Sequence, residues 1–273
     1  MSARLSGHRR ILQCSLGVCL AAVSATGCDK LGRAAAATTA APMSAGEVLV
    51  AFRPHLVTIQ TQWQTGGTVL TARRPQSRAG VGVIVAADGE RALILTTRRL
   101  VDPGYGPSPS AGAREVTFRV WTDANRRREK GVNARLVAVF MNEEDLALLR
   151  IPAADIPAIT IPIARAGQLP IGESVTLISQ SGRGVALGNG LISERQPNNR
   201  TGGHRIGISV DAGSAPAGAV VISRQGGRLA AIVQTRQPGG AVVQAVSADL
   251  LCHPRRWDCL IDARTTRRLL AGL

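Results

Sequence analysis

Aromatic residues are nearly missing from this chain: three Trp, one Tyr and three Phe make up 3% of 273 residues. Proteins that bind single-stranded nucleic acid stack its bases on aromatic side chains, so this composition argues against a nucleic-acid partner. Lysine is scarce too, since Lys30 and Lys130 are the only lysines among 33 basic residues. The formal charge of +15 is therefore carried by arginine. A GC-rich coding sequence accounts for that bias, and most of these arginines are expected in solvated loops. A field of this sign also attracts an anionic surface such as phosphate or acidic lipid. Long hydrophobic runs are missing as well. The apolar run Ile11–Val23 has 13 residues, short of the roughly 20 that a membrane-spanning helix needs.

That run instead has the layout of a targeting segment. Arg4, His8, Arg9 and Arg10 precede it, and Ala25-Thr26-Gly27-Cys28 follows it. Small residues ahead of a cysteine resemble a bacterial lipoprotein signal, although Ala25 stands where leucine is commonest. Residues 1–27 are expected to be a signal peptide, with Cys28 the lipidation site; ordinary secretion with cleavage nearby is the alternative. Residues 28–45 are Ala/Thr-rich without an apolar face and are expected to form a flexible tether. Cys14 and Cys19 fall in the signal, leaving Cys252 and Cys259 for the folded part. In an oxidising compartment the expectation for this pair is a disulfide. A zinc site is disfavoured, because His253 is the only extra ligand nearby and four are wanted. No cofactor or metal is expected.

With 45% hydrophobic residues, the rest of the chain has ample aliphatic material for a core. From Gly46 onward, short Val- and Ile-rich stretches alternate with Gly, Pro, Asn and Asp. Strands are expected at Leu56–Thr61, Gly80–Ala86, Leu93–Thr97, Glu115–Trp121, Leu136–Phe140 and Leu146–Ile151. They continue at Ser174–Ser179, Val185–Ser193, His204–Val210, Ala219–Ser223, Arg228–Gln234 and Ala241–Val246. Such a series indicates an all-β barrel or sandwich. Helical pattern is confined to Ser44–Arg53 and a short C-terminal segment, Asp262–Leu270. One domain is expected over residues 46–273, with no appended peptide-binding (PDZ-type) domain.

Four ordered segments resemble trypsin-like serine peptidases of the HtrA-like branch. Gly80-Val81-Gly82-Val83-Ile84-Val85 is similar to the family's Gly-Ser-Gly-Val-Ile-Ile strand, and Leu95-Thr96-Thr97-Arg98-Arg99-Leu100-Val101 to its Leu-Thr-Asn-x-His-Val-Val. Asp145-Leu146-Ala147-Leu148-Leu149-Arg150-Ile151 resembles the strand opened by the family's triad aspartate. Pro170–Ile178 with Gly190-Leu191-Ile192-Ser193, and Gly218-Ala219-Val220-Val221 with Gly226–Ile232, resemble the second-barrel strands. The resemblance implies two six-stranded antiparallel β-barrels, with the site in the cleft between them.

The same alignment puts Arg99 where the family has its histidine and Pro216 where it has its serine. A guanidinium accepts no proton at any relevant pH. Proline has neither a nucleophilic side chain nor the backbone N–H that the family's serine gives to the oxyanion hole. The expectation is an intact fold without intact catalysis: an exported, lipid-anchored peptidase homologue that binds a peptide or an envelope protein by strand addition. Asp145 is expected to pair with Arg99 across the cleft; capping a strand end in solvent is its alternative. Ser214 is the rescue candidate for the nucleophile, in which case the chain would be an active serine endopeptidase with a non-standard base. A structural envelope module without an open cleft is the third reading. His204 is expected to be a hairpin histidine rather than a substitute base.

Overall fold

The structure is a computed structural model of the chain. It describes residues 41–65, 74–105, 113–122, 131–140, 145–152, 156–181, 184–197, 203–210, 217–236 and 241–252. Helix α1 (Ala45–Phe52) opens the described chain, and Ser44 and Glu47 cap each other in a reciprocal box at its start. Val48 and Phe52, one turn apart, are its buried pair. Just upstream, Met43 donates its N–H to the Arg224 carbonyl at 3.0 Å and accepts from the Arg224 guanidinium. The folded unit thus reaches back to Met43, inside the stretch read as a tether.

Six strands form the first barrel: β1 (Leu56–Thr65), β2 (Arg74–Ala87), β3 (Arg91–Thr96), β4 (Arg114–Trp121), β5 (Val132–Phe140) and β6 (Leu146–Pro152). They run in the order β1-β4-β5-β6-β3-β2, and antiparallel pairing of β1 with β2 closes the ring. A two-residue strand, β7 (Ile159–Thr160), joins the outer edge of β2. The second barrel holds β8 (Ser174–Ser181), β9 (Gly184–Pro197), β10 (His204–Val210), β11 (Val220–Ser223), β12 (Arg228–Arg236) and β13 (Val242–Ser247). It closes in the order β10-β13-β12-β11-β8-β9. The architecture is the expected pair of closed six-stranded antiparallel barrels.

Strands β3 and β6 read as continuous apolar runs because both of their faces are buried. Ala92, Ile94, Ala147 and Leu149 point into the first barrel with Ile59, Ile84 and Val120. Their alternating neighbours Leu93, Leu95, Leu146 and Leu148 belong to a separate cluster with Ile178, Val220, Ile222 and Val246 of the second barrel. Side chains alternate across a strand, so one run serves two cores. Val48 and Phe52 of α1 complete this shared cluster, and Val175, Leu177, Ile192, Ile206 and Val221 lie in the interior of the second barrel.

Twelve of the thirteen strands among the described residues fall where the sequence pattern puts them; β7 has no periodicity to announce it. The β1–β2 hairpin is longer than expected, with rungs from Leu56↔Val83 out to Thr65↔Arg74. Its outer part holds Gln62, Gln64, Pro75 and Gln76, so cross-strand pairing extends it without an apolar alternation to read. The expected C-terminal helix Asp262–Leu270 lies outside the described residues.

Candidate active site

Between β3 and β4 lies a single helical turn, α2 (Arg98–Val101), whose Leu100 and Val101 are buried. Thr97 stands at its N-cap position without a side-chain capping bond. Asp145, at the mouth of the neighbouring β6, supplies the acceptors instead. Its backbone carbonyl takes the Arg98 N–H at 3.0 Å, and its Oδ1 takes the Arg99 N–H at 2.7 Å. The first N–H groups of a helical turn have no partner within the turn, so this residue does from outside what a capping side chain does from within.

The Arg99 side chain returns to the same carboxylate. Its Nε lies 3.5 Å from Asp145 Oδ2, within ion-pair reach, although neither atom makes a hydrogen bond. Asp145 is 3% exposed and the Arg99 side chain 27%. The expected pairing is therefore present, with one correction. It does not cross a cleft between barrels, because α2 and the start of β6 both belong to the first barrel and β3 is hydrogen-bonded directly to β6. The solvated strand-end alternative fails, because the carboxylate is buried.

Burial pushes the Asp145 carboxyl above its ordinary range. The Arg99 N–H bond and the charges of Arg99, Arg98 and Arg78 pull it back without cancelling that shift. Two of these cations were not singled out by sequence. Arg98 directs Nε and Nη2 onto Asp102 Oδ2, at 3.0 and 2.9 Å, and its guanidinium carbon lies 4.1 Å from the Tyr105 ring centroid. Arg78, one of the arginines for which a solvated loop was the general expectation, is half-buried: it donates to the Arg99 carbonyl and lies 5.5 Å from the Trp63 ring centroid. The arginine spacing carried no signal for this. The hairpin register, which places Arg78 opposite Thr61, does.

The second barrel approaches this turn through Gly218. A Cβ at that position would lie 3.8 Å from Thr97 Oγ1, so the segment carrying Gly218 runs beside the residue that precedes α2. The Gly218 N–H donates to the Val233 carbonyl at 2.7 Å, and the Val233 N–H to the Ala219 carbonyl at 2.9 Å. Beyond Val233, β12 continues to Arg236 while still paired with β13.

Pro216 and Ser214 lie outside the described residues, as do Cys28 and Cys259. Cys252 ends the 3₁₀ turn Ala248–Cys252, but its side chain is outside what is described. His204 opens β10 opposite Pro197 and donates its backbone N–H to Ser247 Oγ at 2.9 Å, a hairpin position as expected. Among the described residues, no group of three or more His, Cys, Asp or Glu side chains comes together to hold a metal ion.

The model of the trypsin-like peptidase domain matches residues 80–232, more than half of the chain. The chain belongs to this family. The match opens on the glycine-rich end of β2, closes in β12, and takes in Arg99, Asp145 and Gly218. Among solved structures, an HtrA-type protease, AlgW with a decapeptide, is similar at 18% identity and a TM-score of 0.55. The likeness covers 77% of this chain and 66% of that one, so the chain spans just under two thirds of that protease, and at this identity the likeness is one of fold. A comparison with curated proteins finds no match.

Proposed function

We propose that this member of the trypsin-like peptidase family binds extended peptide without cutting it, as an exported protein of the bacterial envelope held by a lipid on Cys28. The single observation that carries the reading is the Arg99–Asp145 pair. The family's aspartate orients an imidazole that takes a proton from the nucleophile. Here the equivalent carboxylate is spent on a backbone N–H and a guanidinium, and a guanidinium cannot serve as a general base. Pro216, aligned with the family's serine, offers neither a nucleophile nor an oxyanion donor. Losing one such donor alone costs about 10²–10³ in rate.

The binding half of the reading rests on the fold, whose second barrel meets the first where the segment carrying Gly218 runs beside Thr97. An extended peptide held there by strand addition gains main-chain hydrogen bonds. Export is supported by the basic residues, the short apolar run and the Ala25-Thr26-Gly27-Cys28 site; a Cys252–Cys259 disulfide is proposed with it.

A serine-directed fluorophosphonate probe should leave the wild-type chain unlabelled. Labelling that disappears in Ser214→Ala would make the chain an active peptidase and overturn the non-cutting half of the reading. For the anchor, Cys28→Ser should move the protein from the membrane fraction to the soluble one. A wild-type protein found only in the soluble fraction would refute anchoring.

A further inference from the structure

The outer half of the β1–β2 hairpin carries polar residues, and register aligns them across three strands. Gln62 stands opposite Ser77 of β2 on one side and Thr117 of β4 on the other. Gln64, two residues on, stands opposite Pro75. Residues two apart share a face of a strand, so a rung of hydroxyl, amide and hydroxyl lies beside a rung of proline and amide. With Trp63, Gln76 and Glu115 these residues line a groove of about 500 Å³, inside the ~300–1,000 Å³ range of small-ligand sites. The groove coincides with the irregular part of the β1–β4 ladder. Gln62 pairs with Thr117 but Gln64 with Arg114, so Glu115 and Val116 span the interval that Trp63 alone spans in β1. Bulges of this kind re-aim a side chain. At this one Glu115 holds φ at +54°, a left-handed backbone that residues other than Gly, Asn and Asp seldom adopt. Strained conformations of this sort collect at ligand sites.

We propose that this groove is a second binding site, outside the α2 turn, and that it takes a neutral oligosaccharide. A sugar ring presents hydroxyls around its rim and C–H bonds on its faces. Each glutamine amide offers an acceptor and two donors in one plane, which suits a pair of adjacent hydroxyls, and the Ser77 and Thr117 hydroxyls both donate and accept. The Glu115 carboxylate adds an acceptor for a ligand hydroxyl. Pro75 and the Trp63 indole bring apolar surface for the C–H faces. An extended peptide would instead pair with a strand edge, and β1, at the centre of the groove, has β2 hydrogen-bonded along one edge and β4 along the other. The inference stands apart from the peptide-binding reading above, and its failure leaves that reading untouched.

The full chain is titrated against a panel of dye-labelled neutral di- to tetrasaccharides, built from hexoses or N-acetylhexosamines in α and β linkage, and against capped, uncharged tetrapeptides carrying the same dye. At least one saccharide should bind, and more tightly than every tetrapeptide. Gln62→Ala/Gln64→Ala removes two half-buried amides and should weaken that binding about tenfold or more, with circular dichroism unchanged. Should the double variant lose its fold, Ser77→Ala and Thr117→Val, which each remove one exposed hydroxyl, carry the same test with a loss of about threefold each. Glu115→Asn lacks the carboxylate but suits the left-handed backbone, so it should weaken binding while holding or raising Tm. A panel in which no saccharide binds overturns the inference. So does saccharide binding that survives in the folded variants, because the sugar would then sit elsewhere. Tetrapeptides that bind more tightly than any saccharide, and lose that binding in the same variants, overturn the ligand class and give the groove to peptide.

Discussion

Asp145 accepts the backbone N–H of Arg99 at 2.7 Å through one carboxylate oxygen and lies 3.5 Å from the Arg99 Nε with the other. One side chain thus fixes both the turn and the arginine on it. Asp145→Ala removes the side-chain acceptor of the Arg99 N–H, and should lower the unfolding free energy by about 1.5–3 kcal/mol, the range for a hydrogen bond to a charged group. Asp145→Asn keeps an acceptor for the Arg99 N–H and should lose about 1 kcal/mol or less. Denaturant titration of the two variants checks the order. If Asn is as damaging as Ala, the ion pair rather than the N–H bond holds the turn.

The pH dependence of this carboxylate should run against the usual expectation for an ion-paired aspartate. Burial sets its folded value above the ordinary 3.8 despite three arginines nearby. In the window between 3.8 and that raised value, the folded state holds a proton that the unfolded state has released, so stability falls as pH rises. Above the raised value both states are charged and the dependence flattens. The difference in unfolding free energy between wild type and Asp145→Asn should therefore shift toward the Asn variant as pH rises through this window. A carboxylate ruled by its arginines would give the opposite slope.

His55 should produce the reverse trend at higher pH. Its ring is buried, with Nδ1 3.3 Å from the Ile84 carbonyl, and burial depresses its folded value below the ordinary 6.5 although that carbonyl favours the charged form. Below 6.5 the unfolded chain gains a proton that the folded chain resists, so stability is lost as pH falls toward the depressed value. His55→Gln should flatten this part of the curve, measured as denaturation midpoints at a series of pH values. An unchanged slope would assign it to another group.

Barrel architecture was legible in the sequence because β3, β6 and β11 carry runs that only doubly buried strands sustain: Leu93 and Leu95 serve the core between the barrels, while Ala92 and Ile94 serve the first barrel. The Arg99–Asp145 neighbourhood was legible through the ordered motifs, since the two residues sit 46 positions apart and no local pattern links them. What stayed hidden depends on register. Arg78 reaches the Arg99 carbonyl because the β1–β2 ladder extends through polar residues. Asp145 caps α2 because β3 and β6 are adjacent, whereas the family resemblance had led to the expectation of a pairing across the cleft.

Two glycines of the family-like segments are required for different reasons, and substitution series should tell them apart. A Cβ on Gly82 would come within 2.6 Å of Ile94 Cγ2, 2.7 Å of Ile59 Cδ1 and 3.1 Å of the Leu95 carbonyl. Overpacking of this kind costs about 1–3 kcal/mol, and it grows with the side chain. At Gly218 the nearest atom is 3.8 Å away, but φ is +88°, where L-residues are strained. Alanine there should cost about 1–2 kcal/mol, and asparagine, which tolerates positive φ better, should cost less than alanine. The order of Ala and Asn should therefore invert between the sites in equilibrium unfolding: Asn worse at Gly82, Ala worse at Gly218. The same order at both would mean that space alone, not backbone conformation, requires glycine beside Thr97.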